Sequence, residues 1–86
     1  MVTIELYGVP RLRAGLGRLD VEAATLGEAL RALGRACPAL EGSVIVEGIA
    51  RPAYKVSLNG DRFVSDPATP LAEGDAVLLL AADVGG

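Results

Sequence analysis

Apolar and polar residues alternate from the start of the chain. Val2-Thr3-Ile4-Glu5-Leu6-Tyr7 puts Val2, Ile4 and Leu6 on one face of a half-buried strand. Leu19-Asp20-Val21-Glu22 alternates again, with Gly8, Pro10, Gly15 and Gly17 punctuating the stretch between, so the two segments read as an antiparallel hairpin with a long connection. The period then changes. Thr25 and Glu28 have the spacing of a capping box, in which each side chain satisfies an unpaired backbone N–H at a helix start. Leu26, Ala29, Leu30, Leu33 and Cys37 follow at intervals of three and four, while Glu28, Arg31 and Arg35 fall elsewhere. This predicts an amphipathic helix lying on a sheet and ending at Pro38.

Between Leu40 and Pro52 the pattern weakens, and Val44-Ile45-Val46 fits either a short strand or a packed loop. Val56-Ser57-Leu58 and Arg62-Phe63-Val64 then flank Asn59-Gly60, a pair that tolerates the positive backbone angles of a tight hairpin. Asp66-Pro67 and Pro70 break the chain, and Glu73-Gly74-Asp75 turns it into the apolar run Ala76-Val77-Leu78-Leu79-Leu80. A continuous apolar run suits a strand covered on both faces, and a central position beside the first strand would supply that cover. The resulting order is strand, strand, helix, strand, strand, strand. It describes an α+β domain of the β-grasp, or ubiquitin-like, type: a mixed sheet of four to five strands with one main helix on one face. A single domain over 1–86 is expected, with a flexible tail at 81–86.

Composition mainly excludes. The chain has 86 residues, 8 basic and 11 acidic, for a formal net charge of -3, so no nucleic-acid partner is expected and a protein partner with a basic surface fits better. With no histidine and one cysteine, the usual zinc sites and Ser-His or Cys-His pairs cannot be built, so no metal site and no catalytic residue is expected. Cys37 shares the helical spacing of Leu30 and Leu33 and reads as a buried small hydrophobe. Glu73 and Asp75 flank a glycine and read as a solvated turn; Arg11, Arg13 and Arg18 read as solvated loop positions. The apolar run is too short to span a membrane, no export signal is seen, and the cytoplasm is the expected compartment.

The remaining chemistry lies in the tail, Ala81-Ala82-Asp83-Val84-Gly85-Gly86. Two glycines present no side chains, so such an end threads a channel too narrow for any residue with a Cβ. A carboxylate is a poor electrophile until it becomes an acyl adenylate, which a sulfur or nitrogen nucleophile then attacks. Nothing in the chain binds ATP by a Walker motif, so the activating groups would belong to a partner.

Asn59-Gly60, Pro70-Leu71, Glu73-Gly74-Asp75, the apolar strand from Val77 to Leu80 and the terminal Gly85-Gly86, taken in order, resemble the MoaD/ThiS sulfur-carrier family. Thr25-Leu26 opening the helix and Cys37-Pro38 closing it resemble it too. The resemblance implies that Gly86 is adenylated by a ubiquitin-activating-type enzyme and converted to a thiocarboxylate, with Gly85 serving the threading of the tail. It implies no bound cofactor, the ATP being used by that partner. A second partner would be a sulfur-transfer enzyme such as the large subunit of molybdopterin synthase, since length and the loop after the helix look most like that enzyme's small subunit. On the sheet face away from the helix, the resemblance places Phe63 and Leu80 toward a partner and Val77 and Leu79 inward. Leu80-Ala81-Ala82 departs from the aromatic-Pro-Pro common in that subunit, and Asp83 stands where a small or apolar residue is usual. Carriers for thiamin, cysteine or tRNA thiolation and a ubiquitin-like protein modifier are therefore the alternatives.

Overall fold

Strand β1 (Val2–Leu6) buries Val2, Ile4 and Leu6, as its alternation requires. It pairs antiparallel with β2 (Arg18–Val21), Ile4 facing Leu19. The structure is a computed structural model and describes residues 1–82.

The connection between these strands contains a helix, α1 (Val9–Ala14), where the sequence suggested only turns. The punctuating residues are its boundaries. Pro10 sits in the first turn, where its missing N–H costs nothing, and Gly15 closes the helix in the left-handed conformation at φ 76°. The side chain of Pro10 is buried, and α1 packs against β7 (Ala76–Ala81) and the short 3₁₀ turn Pro38–Leu40.

The main helix, α2 (Leu26–Ala36), begins where Thr25 accepts the Glu28 N–H at 3.3 Å, while the Glu28 carboxylate accepts the Ala24 N–H at 2.9 Å. Two more N–H groups of its first turn, which no helical carbonyl can reach, find partners in the loop around Pro67 and Thr69. Leu26 donates to the Thr69 carbonyl and Gly27 to the Pro67 carbonyl, both at 2.9 Å. Leu26, Ala29, Leu30 and Leu33 are buried against the sheet, the helix ends before Cys37 and Pro38, and Cys37 is itself in the core.

The weakly patterned stretch after α2 is a lid on the core. Leu40, Val44 and Ile45 are fully buried, and β3 (Ile45–Val46) pairs with β4 (Ile49–Ala50) as a separate two-stranded ribbon. Glu47 and Gly48 turn it with positive φ, 51° and 78°. A Cβ on Gly48 would lie 2.9 Å from the Gly27 carbonyl oxygen, so the ribbon's turn rests directly on α2.

Strands β5 (Tyr54–Leu58) and β6 (Arg62–Val64) form the expected hairpin, with Asn59 and Gly60 both at positive φ. Strand β7 runs between β1, to which it is parallel, and β5, to which it is antiparallel, giving the sheet order β2-β1-β7-β5-β6. This is the α+β β-grasp architecture, a mixed five-stranded sheet with α2 across one face. Strand β7 continues through Ala81, opposite Tyr54, and the Ala82 N–H donates to the Ala53 carbonyl at 2.8 Å. The first two residues assigned to a flexible tail are therefore held by the sheet. No helix among the described residues is long and apolar enough to cross a membrane.

Candidate functional site

Residues one apart on a strand point to opposite faces, and β7 is apolar on both. Val77 and Leu79 are fully buried beneath α2, as expected. Leu78 and Leu80 point the other way and are only half-buried, because no element among the described residues covers that face. The cover on both sides that the apolar run suggested is thus supplied on one side only. The run is continuous because the strand has a core on one face and an apolar surface on the other.

Cross-strand register assembles that surface. Leu80 lies opposite Lys55 and Leu78 opposite Ser57 on β5, and Ser57 lies opposite Phe63 on β6. Tyr7, Gly8, Leu78, Leu80 and Ala81 line a shallow depression of about 460 Å³ at the end of β7 from which the chain continues toward residues 83–86. Phe63, 64% exposed, shares a strand face with Ser57 through this register and Leu80 shares one with Lys55, so both partner-facing candidates, Phe63 and Leu80, lie on the face opposite the buried Val56 and Leu79. Tyr7 and Leu78 belong with them and were missed. The alternation ending at Tyr7 and the apolar run holding Leu78 were legible in the sequence, but neither says which strand face lacks a cover.

Polar residues frame the patch. Thr3 donates to Asp20 at 2.7 Å, the Tyr7 hydroxyl donates to Glu5, and the Lys55 ammonium stands 4.9 Å from the centroid of the Phe63 ring. With Arg18, Glu5 and Asp20 beside one another the frame has both signs, so the net charge of the chain does not set the charge of a partner's rim.

Asn59 and Asp75, read as turn residues, are joined in a latch. The Asn59 side-chain carbonyl accepts the Ala76 N–H at 2.8 Å, and its amide donates to Asp75 at 3.1 Å. The other carboxylate oxygen of Asp75 accepts the Ala72 N–H at 2.8 Å. The β5–β6 turn is thereby tied to the start of β7. These hydrogen bonds, that from Ala72 foremost, hold the Asp75 carboxyl below its ordinary pKa of 3.8. A folded pKa below the unfolded one contributes stability at higher pH that is lost as pH falls through the folded value. Stability is therefore expected to drop on acidification below pH 3.8, and Asp75→Asn to flatten that part of the profile, as read from urea midpoints across the acid range.

Cys37 is 5% exposed and burial pushes its thiol pKa up, the reverse of what a reactive cysteine requires. Among the described residues no three His, Cys, Asp or Glu side chains cluster as a metal site would need. The two residues on which the tail chemistry turns, Gly85 and Gly86, lie outside the described residues.

No protein-family model and no curated protein matches the sequence. Solved structures do match. The chain is 32% identical to SAMP1 from Haloferax volcanii over 99% of this chain and 98% of that one, with a TM-score of 0.80. It is 26% identical to a chain in the complex of subunits 1 and 2 of the molybdopterin-converting factor from Helicobacter pylori, over 99% and 97% of the two chains, with a TM-score of 0.66. This chain belongs to the MoaD/ThiS-like ubiquitin-like family. The fold is shared as well with a chain of the BexX/CysO complex of Amycolatopsis orientalis, at 20% identity, full coverage of both chains and a TM-score of 0.82. Within the family frame, the Asn-Gly and Glu-Gly-Asp motifs that carried the resemblance are architectural here. They fix β7, the strand that leads to the tail.

Proposed function

We propose that this chain is a sulfur carrier whose Gly86 carboxylate is adenylated by a ubiquitin-activating-type enzyme and converted to a thiocarboxylate. The observation that carries this reading is the apolar open face on β7, continuous with the strand end that leads to Gly85-Gly86. A partner seated on Leu78, Leu80 and Phe63 would hold the sheet while the tail enters its active site. The carboxylate oxygen attacks the α-phosphorus of ATP and pyrophosphate leaves; a sulfur nucleophile then attacks the acyl carbon and AMP leaves. The chain supplies the carboxyl group and its position, and the partner supplies the catalytic groups and ATP.

The pathway we propose is molybdenum cofactor synthesis, with the chain as small subunit of molybdopterin synthase. It is supported by the likeness to the Helicobacter pylori molybdopterin-converting factor, determined as a complex of its two subunits. A second reading, a protein modifier joined through Gly86 to lysines of other proteins, is supported by 32% identity to the small archaeal modifier protein 1 of Haloferax volcanii. Both begin with the same adenylate.

The test is the intact mass of the protein after incubation with ATP, a cognate activating enzyme and a sulfur donor. Exchange of one oxygen for sulfur is expected, and its complete loss on deletion of Gly86. Activating enzymes that work on their own carriers yet leave this chain unchanged would refute the carrier role. Gly86-linked adducts on other proteins in place of the thiocarboxylate would select the modifier.

A further inference from the structure

An activated carboxyl group is attacked by any free amine within reach, including the amines of the molecule that carries it. The nitrogen attacks the acyl carbon, a C–N bond forms, the C–O bond to AMP breaks, and the ammonium proton goes to solvent. The product is a self-linked copy that no longer carries an end to donate. A carrier full of lysines would be lost this way whenever its adenylate waits for sulfur.

This chain offers almost no amines. Of its 8 basic residues seven are arginines, and Lys55 is the one lysine. A guanidinium stays protonated at any working pH and is not acylated under these conditions. Lys55 and the Met1 amine are both engaged. The Lys55 ammonium lies over the Phe63 ring, 4.9 Å from its centroid, an arrangement that attracts the cation. Lys55 is also opposite Leu80 in the register of the open face, where a docked partner would cover it. The amine of Met1 is paired with the Glu73 carboxylate. That pairing raises its pKa and so favours its protonated form.

We infer that the chain withholds its own amines from the acyl group that activation creates, with Phe63 and Glu73 as the residues that hold the two amines back. They are specificity-determining residues: they direct the activated carboxyl to an external acceptor. The inference rests on the activation proposed above, and it holds for either reading, since a modifier meets the same hazard.

Two measurements test it without an activating enzyme, so that failure of activation and failure of this inference are told apart. In the first, the protein is treated with limiting acetyl N-hydroxysuccinimide ester and acetylation is followed site by site. Arg35→Lys, on the exposed face of α2, supplies an open reference amine. Lys55 is expected to react about two- to fivefold more slowly than that reference, and Phe63→Ala to remove the difference, which is the factor an exposed cation–π contact provides. In the second, a copy bearing a Gly86 thioester is mixed with the free-acid form. Covalent dimer is expected to accumulate faster with Arg35→Lys or Phe63→Ala than with the wild type. A Lys55 that acylates as fast as the open amine, or a wild type that self-links as readily as these variants, would overturn the inference.

Discussion

Gly27→Leu is expected to destabilise the protein by about 2–3 kcal/mol, the net of overpacking and lost hydrogen bonds against a gain in helix propensity. Gly27 is where three segments meet. Its N–H donates to the Pro67 carbonyl, a Cβ there would lie 3.1 Å from the Pro67 Cβ and 3.2 Å from its oxygen, and the turn of the β3–β4 ribbon sits over its carbonyl. A leucine has nowhere to go without pushing the 66–70 chain off the helix start and breaking the bonds that Leu26 and Gly27 make to it. For a domain of this size the shift corresponds to a melting temperature lower by roughly 10–20 °C. Gly27→Ala is the informative companion. Its single methyl asks the loop to yield by a few tenths of an ångström, and the helix-propensity gain of about 1 kcal/mol offsets much of that, so a change within about 1 kcal/mol is expected. Urea unfolding of the pair decides it: equal stability for the leucine variant and the wild type would mean that the loop does not brace the helix.

On β7, two adjacent leucines are expected to behave in opposite ways. Leu80→Asp should leave the fold intact, because the new carboxylate faces solvent beside Lys55, and should weaken binding to the proposed activating enzyme about a hundredfold, the effect of losing an interface anchor worth roughly 3 kcal/mol. Leu79→Asp should abolish folding, since Leu79 is fully buried and a lone carboxylate there has no partner. Circular dichroism checks the fold of both, and titration calorimetry measures the affinity of the first. Undiminished affinity in a folded Leu80→Asp would remove the open face from the docking reaction. Leu80→Asn, which removes the apolar contact without adding a charge, would separate a loss of apolar contact from a change of charge.

Those two leucines also mark how far the sequence could be read. Its strongest periodicities, in β1 and α2, correspond to elements buried on one side, and there local pattern and tertiary environment agree; the apolar run of β7 suggested cover on both faces, and only one is covered. The β5–β6 hairpin was legible because Asn59 and Gly60 take the left-handed conformation that few other residues tolerate. Helix α1 was not, because Gly8, Pro10 and Gly15 are equally good markers of a loop and of the two ends of a six-residue helix. The Val44–Ile45 stretch was ambiguous because its burial comes from long-range packing in the core, with only two residues per strand to carry a period. For the site, Leu80 and Phe63 were placed on the open face through family likeness. Tyr7, Leu78 and the Lys55–Phe63 contact required the register, which brings together residues from three strands far apart in sequence.

The placement of β7 has a mechanical consequence. A tail drawn into a partner's channel transmits tension along β7, and that strand is gripped on both sides, by β1 and by β5. Because the inter-strand hydrogen bonds lie across the direction of pull, the load is shared by many bonds in shear, and they cannot open one at a time as they would under a pull perpendicular to the strand. The β1 pairing is parallel, so its hydrogen bonds are evenly spaced along the contact from Thr3–Ala76 to Leu6–Leu79. Traction on the end of the chain should therefore be resisted by the body of the protein, so that the loading and release of the tail proposed above would leave the fold undisturbed.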